Sequence, residues 1–188
     1  MSMSYFHKYG LTSNGIEGED VPKRKDLSHT LYSGFVGFIS IFIILLIEHH
    51  TDFILTAASF GASAVLLYDA VDAPFSQPRN VIFGQIFSAL CGVCCYKLFS
   101  LNDSQYFYTP VVGAVAVASS IIIMGLTQTT HPPGAATALI PVIGSKEIID
   151  LGFMYVLHPI ASGIFIMVFI AVVFNNMVSS RRYPKYWY

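Results

Sequence analysis

Apolar residues along this chain fall into six stretches that are separated by short polar segments. Crossing the roughly 30 Å apolar core of a bilayer takes about 20 helical residues. Four stretches reach that length, the first when Leu27–Thr30 is added, whereas Phe53–Tyr68 has 16 residues and Gly134–Ile143 has 10. The stretches are Leu31–Ile47, Phe53–Tyr68, Val81–Phe99, Tyr106–Leu126, Gly134–Ile143 and Leu151–Phe174.

Composition favours a membrane protein. Of the 188 residues, 54% are hydrophobic and 11% are charged, and the mean hydropathy is +0.61. A soluble domain carries about 25% charged residues. We therefore predict an all-α, multi-pass membrane bundle of about four full spans plus two short helices, broken or re-entrant. The net charge of −1 gives no reason to expect a nucleic-acid partner, and no cofactor is predicted.

The chain divides into three segments by polarity. Residues 1–30 are polar and carry both charge signs, which predicts a mobile tail, and residues 31–176 form the membrane domain. Residues 177–188 form a basic and aromatic tail. Lysine and arginine gather before the first span and after the last one, so the positive-inside rule predicts both termini in the cytoplasm. The membrane is either the plasma membrane or an organelle envelope.

A short sequence repeat accompanies the two short helices. The segment GASAVLL at Gly61–Leu67 matches GAATALI at Gly134–Ile140, and each follows a long apolar run and a polar break. We interpret this as an internal repeat, a common plan in transporters, although chance similarity between small-residue segments is the alternative. Re-entrant short helices would make the repeats parallel, whereas six crossings would make them inverted. Arg79 and Lys97 favour opposite sides in the two topologies, so charge does not choose.

Small residues recur along one face of the third long helix. Gly84, Ser88 and Gly92 are four residues apart, which predicts a face where another helix approaches closely. The segment CGVCC, with Cys91, Cys94 and Cys95, is interpreted as further small packing residues, because no other Cys or His completes a zinc spacing.

The first candidate site is the segment from Asp69 to Asn80, which leads into the third long helix and contains Gln77 and Arg79. Asn80 is a plausible N-cap. Arg79 would stand at the positive end of the helix dipole, an unfavourable place for a cation unless an anion is also bound. The alternative is an ordinary surface loop with a salt bridge between Asp72 and Arg79.

The second candidate site is a polar break between apolar segments, formed by Thr127, Gln128, Thr129, Thr130 and His131. Pro132 and Pro133 follow, and proline is preferred at the first position of a helix. We expect the short helix to begin at Pro133 or Gly134, with free amides that point back at Thr130 and His131 and form an anion site. The alternative is an interfacial loop with a capped helix.

A third feature is His158-Pro159 inside the last apolar stretch. Pro159 removes a helical hydrogen bond and predicts a kink. A structural kink capped by His158 is the favoured interpretation, and a place for His158 in a solute path is the other. We find no nucleophile with a base, no phosphate loop and no paired catalytic carboxylates, so an enzyme is not predicted.

Two blocks of the chain resemble the signature segments of the HPP family of integral membrane proteins. The blocks are THPPGAATALI and FGASAVLLY…P…QPRNVIFGQ…SALCGV, and the resemblance extends from about Leu31 to Asn176. The closing RRYPKYW resembles fungal members. The resemblance implies four membrane-spanning helices, and it implies nitrite transport by association with photosynthetic members. From the resemblance we expect many members to have a His where this chain has Gln85, and if that His relays protons, the glutamine puts proton coupling in doubt.

The leading functional hypothesis is a transporter or channel for a small anion of the nitrite and nitrate class, embedded in a lipid bilayer. One alternative is a proton or cation pathway that uses Asp69 and Asp72. Another is a membrane scaffold or enzyme without transport. A homo-oligomer is expected by analogy with other small transporters.

Overall fold

A computed structural model describes residues 25–51, 58–99 and 105–187, with side chains from residue 109 in the last range. Within these ranges the chain forms seven α-helices: α1 Leu27–His50, α2 Ser59–Tyr68, α3 Pro78–Phe99, α4 Gln105–Leu126, α5 Pro133–Ile143, α6 Lys146–Asp150 and α7 Ser162–Asn176. A 3₁₀ turn, Pro74–Ser76, precedes α3, and a π-helical turn, Val156–Ala161, precedes α7. The predicted all-α bundle is confirmed. Most of residues 1–30 and part of the second apolar stretch lie outside the described residues.

Four helical segments are long and apolar enough to cross a membrane, and two shorter apolar helices accompany them, as the apolar pattern predicts. The long segments are Leu27–His50, Pro78–Phe99, Thr109–Leu126 and Val156–Asn176, and the short ones are Ser59–Tyr68 and Pro133–Ile143. The last residues of the predicted N-terminal tail, from Leu27 on, belong to α1.

Contacts between distant residues trace the first half of the chain through the bundle. The helix α1 has 24 residues and is therefore about 36 Å long. Lys25 nevertheless donates a hydrogen bond to the carbonyl oxygen of Asp69 at 2.9 Å, so the chain returns to the start of α1 by the end of α2. We call this end of the bundle the base. The helix α3 starts again from the base, and Lys97 near its end lies at the opposite end.

The second half of the chain also alternates between the base and the opposite end. Arg79 at the start of α3 reaches the carbonyl oxygen of Thr127 at 3.0 Å, which places the end of α4 at the base. Lys97 lies over the ring of Phe153, 5.6 Å from its centroid, so the chain has then reached the opposite end. Asn175 donates to the carbonyl oxygen of Leu67 at 2.9 Å, and α7 therefore ends at the base. Between Lys25 and Asn175, the contacts of the described residues place the chain at alternate ends of the bundle, which corresponds to six passes.

This path decides between the two topologies that the sequence left open. The short helices α2 and α5 each belong to a pass from one end to the other, so neither is a re-entrant hairpin. Ser63 faces His131, and Ser59, four residues earlier, faces Thr137, six residues later. The two short helices therefore run in opposite directions, and an internal repeat would be inverted. Superposition of Gly61 on Gly134 stays a prediction.

The face of small residues on α3 packs against the break before α5 and against α5 itself. A Cβ atom on Gly84 would lie 2.6 Å from the carbonyl oxygen of Thr129, and one on Gly92 would lie 2.2 Å from that of Ala138. Both distances are shorter than side chains tolerate, so the backbones touch. The interpretation of this face as a helix-packing interface is confirmed. Cys91 and Cys95 are buried and Cys94 is exposed.

The C-terminal tail folds back onto the base. The guanidinium of Arg181 donates to the carbonyl oxygens of Tyr68 and His29, both at 2.9 Å, and to side-chain oxygens of Ser33 and Asn175 at 3.0 and 3.2 Å. The tail predicted as basic and aromatic is therefore part of the folded bundle. Its buried arginine joins α1, α2 and α7 at one point.

The last long segment is kinked, as Pro159 predicts. His158 has φ −128° and ψ 118°, values outside the helical region, within the π-helical turn. Proline lacks the amide that would continue the helical ladder, so the chain re-forms hydrogen bonds one residue later. The kink lets α7 turn toward α2 at the base.

Candidate functional site

The two polar breaks meet at the base of the bundle. Arg79 donates from Nη2 to the carbonyl oxygen of Thr127 at 3.0 Å, and Asn80 donates from Nδ2 to that of Thr130, also at 3.0 Å. Adjacent residues in the first turn of α3 thus hold both sides of the break that precedes α5. We call this contact the junction.

Arg79 carries positive charge where positive charge is already present. It is the second residue of α3, and a helix N-terminus is equivalent to about half a positive charge. The alternative salt bridge with Asp72 is wrong, because Asp72 pairs with Lys185 at 2.9 Å. Within the described part of the chain, Arg79 forms no ion pair with a carboxylate. Its side chain is half-buried beneath the polar loop.

The carboxylate of Asp69, at the end of α2, has charged partners. The Lys25 ammonium forms an ion pair with the Asp69 carboxylate, and His29 lies 3.7 Å from its other oxygen. Partial burial works to raise the pKa of Asp69, but the hydrogen bond and charge of Lys25 hold it below its ordinary value. Both acids proposed for a cation pathway are therefore partnered by lysines at the base.

Two predicted site residues have structural roles. The helix α3 begins at Pro78, so Asn80 lies inside the first turn and the prediction that it is the N-cap is wrong. Gln77 uses its amide nitrogen on the carbonyl oxygens of Val71 and Ala73, both at 3.0 Å. Its amide oxygen accepts from the backbone nitrogen of Lys185 at 2.8 Å. Gln77 therefore holds the loop and the tail together and has no free group to offer a solute.

The break after α4 begins with an αL residue. Thr129 donates from its backbone nitrogen to the carbonyl oxygen of Met124 at 2.9 Å, and Gln128 donates to that of Gly125 at 3.2 Å. This pair of bonds is the Schellman motif that ends many helices, usually with glycine at the αL position. Here that position is Gln128, with φ 55° and an exposed side chain. A glycine there would avoid the strain that a side chain causes at positive φ.

The short helix α5 begins at Pro133, as the double proline predicts, and Thr130–Pro132 are non-helical. The expected free amides are not free, however. Gly134 donates to the carbonyl oxygen of His131 at 2.8 Å, and Ala135 donates to that of Pro132 at 3.1 Å. Tight turns satisfy both donors, so the expectation of an open ring of amides at this helix start is corrected.

His131 is fully buried and both of its ring nitrogens are partnered. Nδ1 lies 2.8 Å from the carbonyl oxygen of Phe75, and Nε2 lies 2.9 Å from the hydroxyl of Ser63. A carbonyl oxygen only accepts, so Nδ1 carries a proton. The imidazole therefore links α2, the loop before α3 and the break before α5.

A chain of buried polar side chains continues from His131 into the bundle. Gln85 donates from Nε2 to the Ser63 hydroxyl at 3.0 Å, and its Oε1 accepts from Thr137. The Thr137 hydroxyl also lies 2.7 Å from that of Ser59. All of these side chains are buried. Sequence reasoning missed Ser59, Ser63 and Thr137, although two serines four residues apart in an apolar helix were a visible signal.

One further buried hydroxyl, that of Ser88 on α3, lies beside the start of α5. Ser88 is fully buried, and its Oγ has no hydrogen-bond partner among the described residues. It lies 2.6 Å from the point that a Cβ on Gly134 would occupy. The Nδ1 atom of His158 lies 3.4 Å from the hydroxyl of Ser162, within the kinked segment that precedes α7. In the described ranges no cluster of His, Cys, Asp and Glu could hold a metal ion.

Four long apolar helical segments and two short apolar helices, with a polar chain enclosed between them, define a multi-pass membrane protein. The family model described as "HPP, transmembrane region" matches residues 22–184, so the chain belongs to the HPP family. A transmembrane protein of Dictyostelium discoideum is 37% identical over 98% of the chain and 58% of its own length. Another is 32% identical over 99% of the chain and 64% of its own length. The chain thus spans about three fifths of these relatives. No solved structure matches it.

Proposed function

We propose that this protein moves a small monovalent inorganic anion, of the nitrite and nitrate class, across the membrane. The observation that carries the proposal is the position of Arg79, whose half-buried guanidinium stands in the first turn of α3 without a carboxylate partner in the described chain. A full charge and a helix dipole of the same sign then act together. The carbonyl oxygen of Thr127, at the end of α4, offsets part of this charge, and a bound anion would supply the full negative charge that no described carboxylate supplies.

The junction offers donors that suit a planar oxyanion. Arginine has five N–H donors in a fixed fork, and one of them is used on Thr127. Asn80 and Thr130 form the second bond of the junction, and the exposed Gln128 directly follows Thr127 in the chain. The unpartnered hydroxyl of Ser88 lies further along α3, at the start of α5. We propose that the anion binds first at the junction and then passes toward Ser88.

The contacts of the described residues favour an anion over the two rival functions, a cation pathway and a scaffold or enzyme without transport. A cation path through Asp69 and Asp72 would have to displace Lys25 and Lys185 from their carboxylates. A scaffold or enzyme without transport would need only a surface site, and the buried polar chain between two oppositely directed short helices would then have a structural role alone. Ionisable and polar groups inside a membrane bundle usually mark the path of a solute.

The test is flux of nitrite and of nitrate into proteoliposomes under a clamped potential. We expect Arg79→Ala to lower the flux roughly 10- to 100-fold, because a hydrogen bond to a charged group is worth about 1.5–3 kcal/mol. Arg79→Lys restores part of the flux if charge alone matters and little if the fork is needed. The matched control is Arg182→Ala, an exposed arginine in the tail that packs at the base. Absence of flux through the folded wild-type protein would refute the proposal.

A further inference from the structure

We infer that His131 is a proton-binding site, and that the chain Ser63–Gln85–Thr137 reverses the direction of its hydrogen bonds when the proton binds. The proton site is argued from the geometry of the buried chain alone. Only the role that we give to the proton, coupling to an anion, rests on the proposed function.

In the observed state the bonds run toward His131. Gln85 Nε2 donates to Ser63 at 3.0 Å, so the Ser63 proton is available to Nε2 of His131 at 2.9 Å. Nδ1 already donates to Phe75. The ring therefore holds one proton and is neutral. At the other end of the chain, the single hydroxyl proton of Thr137 goes to Gln85 Oε1, so the 2.7 Å contact between Thr137 and Ser59 must use the Ser59 proton in this state.

Each member of this chain can both donate and accept. A 180° turn of the Gln85 amide exchanges its oxygen and nitrogen, which are nearly equal in size. Ser63 then donates to Gln85 Oε1, and its oxygen is free to accept from a protonated Nε2 of His131. Gln85 Nε2 donates to Thr137, whose proton goes to Ser59, 2.7 Å away. Each bond within the chain is remade between the same two residues, and the hydroxyl proton of Ser59 turns away from Thr137.

This reversal removes the usual obstacle to a buried cation. A buried donor without an acceptor costs about 1–3 kcal/mol and more when it is charged. Here the added N–H finds Ser63, and the Nδ1 bond to Phe75 is kept. An apolar chain of the same shape, or one with a one-way acceptor in place of Gln85, would leave a group unsatisfied in one of the two states. The sequence therefore encodes two states of one network.

The charged groups around His131 set the balance between these states. The helices α2, α4 and α5 carry no charged side chain. The helix α3 contributes Arg79 at the base and Lys97 at the opposite end, and the loop before α3 contributes Asp69 and Asp72, each paired with a lysine. Within the described residues no carboxylate contacts His131 to favour its cationic form. A second charge of opposite sign is needed.

The proposed anion supplies that charge. His131 follows directly on Thr130, whose carbonyl oxygen is held by Asn80 at the junction. An anion there and a proton on His131 together add no net charge to a site that already contains Arg79, and adding both is less costly than adding either ion alone. Coupling between two ligands is reciprocal, so the anion raises the affinity for the proton by the same factor that the proton raises the affinity for the anion. The protein then carries one proton with each anion.

The first experiment follows the titration of His131 by NMR in protein labelled with ¹⁵N-histidine, with His131→Asn to assign the signal. We expect Ser63→Ala to lower the midpoint by at least one pH unit and Gln85→Met to lower it by less. Ser120→Ala is the control, because it removes a buried hydroxyl that bonds only within α4. A midpoint that is the same in all four proteins, or a ring that never binds a second proton, would overturn the inference.

The second experiment separates the proton site from the anion. Nitrate, compared with gluconate, is expected to raise the midpoint of His131, and a nitrate gradient is expected to move one proton per nitrate into liposomes that contain a pH dye. In Gln85→Met the protons moved per nitrate should fall. Nitrate flux without proton movement would overturn the coupling. Failure of nitrate both to cross and to shift the midpoint, with the dependence on Ser63 intact, would sink the proposed function and leave the proton site standing.

Discussion

The backbones of α3 and α5 touch where Gly92 meets Ala138, since a Cβ on Gly92 would lie 2.2 Å from the Ala138 carbonyl oxygen. Gly92→Ala is therefore expected to lower the free energy of unfolding by about 1–3 kcal/mol, and Gly92→Leu by more. Thermal unfolding in detergent measures this loss. Gly125→Ala is the control, because nothing lies within 4 Å of its Cβ position. Equal stability of the two alanine variants would contradict the close contact.

Substitutions of Gln128 distinguish an effect on stability from an effect on nitrite flux. A residue with a side chain in the αL region costs about 1–2 kcal/mol relative to glycine. Gln128→Gly should therefore be more stable than Gln128→Ala by about 1 kcal/mol, because both lose the side chain and only one relieves the backbone. We expect both variants to lose nitrite flux. Full flux in the glycine variant would remove Gln128 from the site.

Arg181 is expected to be the most sensitive residue of the tail. Besides its four hydrogen-bond acceptors, it stacks on Tyr32, with its Cζ 4.9 Å from the ring centroid. Arg181→Ala leaves buried oxygens without donors, which should cost about 3 kcal/mol or more. Arg181→Lys should recover little, because one ammonium does not span both sides of the fork. Arg182→Ala, on the exposed neighbour, is the control and should change the unfolding free energy by less than about 0.5 kcal/mol.

The Lys25–Asp69 pair makes the free energy of unfolding depend on pH in the acidic range. The pKa of Asp69 is lower in the folded protein than its ordinary value of 3.8, so its contribution is present above that value and is lost as pH falls through the folded pKa. The side chains are partly exposed, and we expect the pair to contribute about 0.2–1 kcal/mol at neutral pH. Unfolding of wild type and Asp69→Asn, followed from neutral to acidic pH, should converge in acid. Asp150→Asn is the control, and a constant gap between wild type and Asp69→Asn would contradict the pair.

Six passes require residues 146 and 182 to lie on opposite sides of the membrane. Single cysteines placed there, in a protein without Cys91, Cys94 and Cys95, should be labelled by an impermeant reagent from opposite sides of sealed vesicles. The positive-inside rule further predicts that residue 182 faces the cytoplasm. Labelling of both positions from one side would contradict the path of the chain.

The sequence predicted the helices well because apolar length and proline position act locally. Pro133 starts α5 and Pro159 kinks the last segment for reasons contained in a few residues. The number of passes was not predictable, since Arg79 and Lys97 satisfy opposite topologies equally well.

The partners of the candidate residues were also beyond a single sequence. Arg181 looked like a surface cation until the structure showed it buried among carbonyl oxygens. The link from His131 to Ser63 joins residues 68 positions apart, and no local pattern in the sequence indicates it.

The close contact of α3 with α5 has a kinetic consequence. Backbones that touch at Gly84 and Gly92 leave no room for a solute between α3 and the α5 segment at these two points. Any solute that crosses there must wait for a short helix to move, and collective motions of this kind take microseconds to milliseconds. The transport rate is then limited by the rate of this conformational change. Patch-clamp recordings would show no unitary current steps, and uptake would saturate with concentration and slow steeply on cooling.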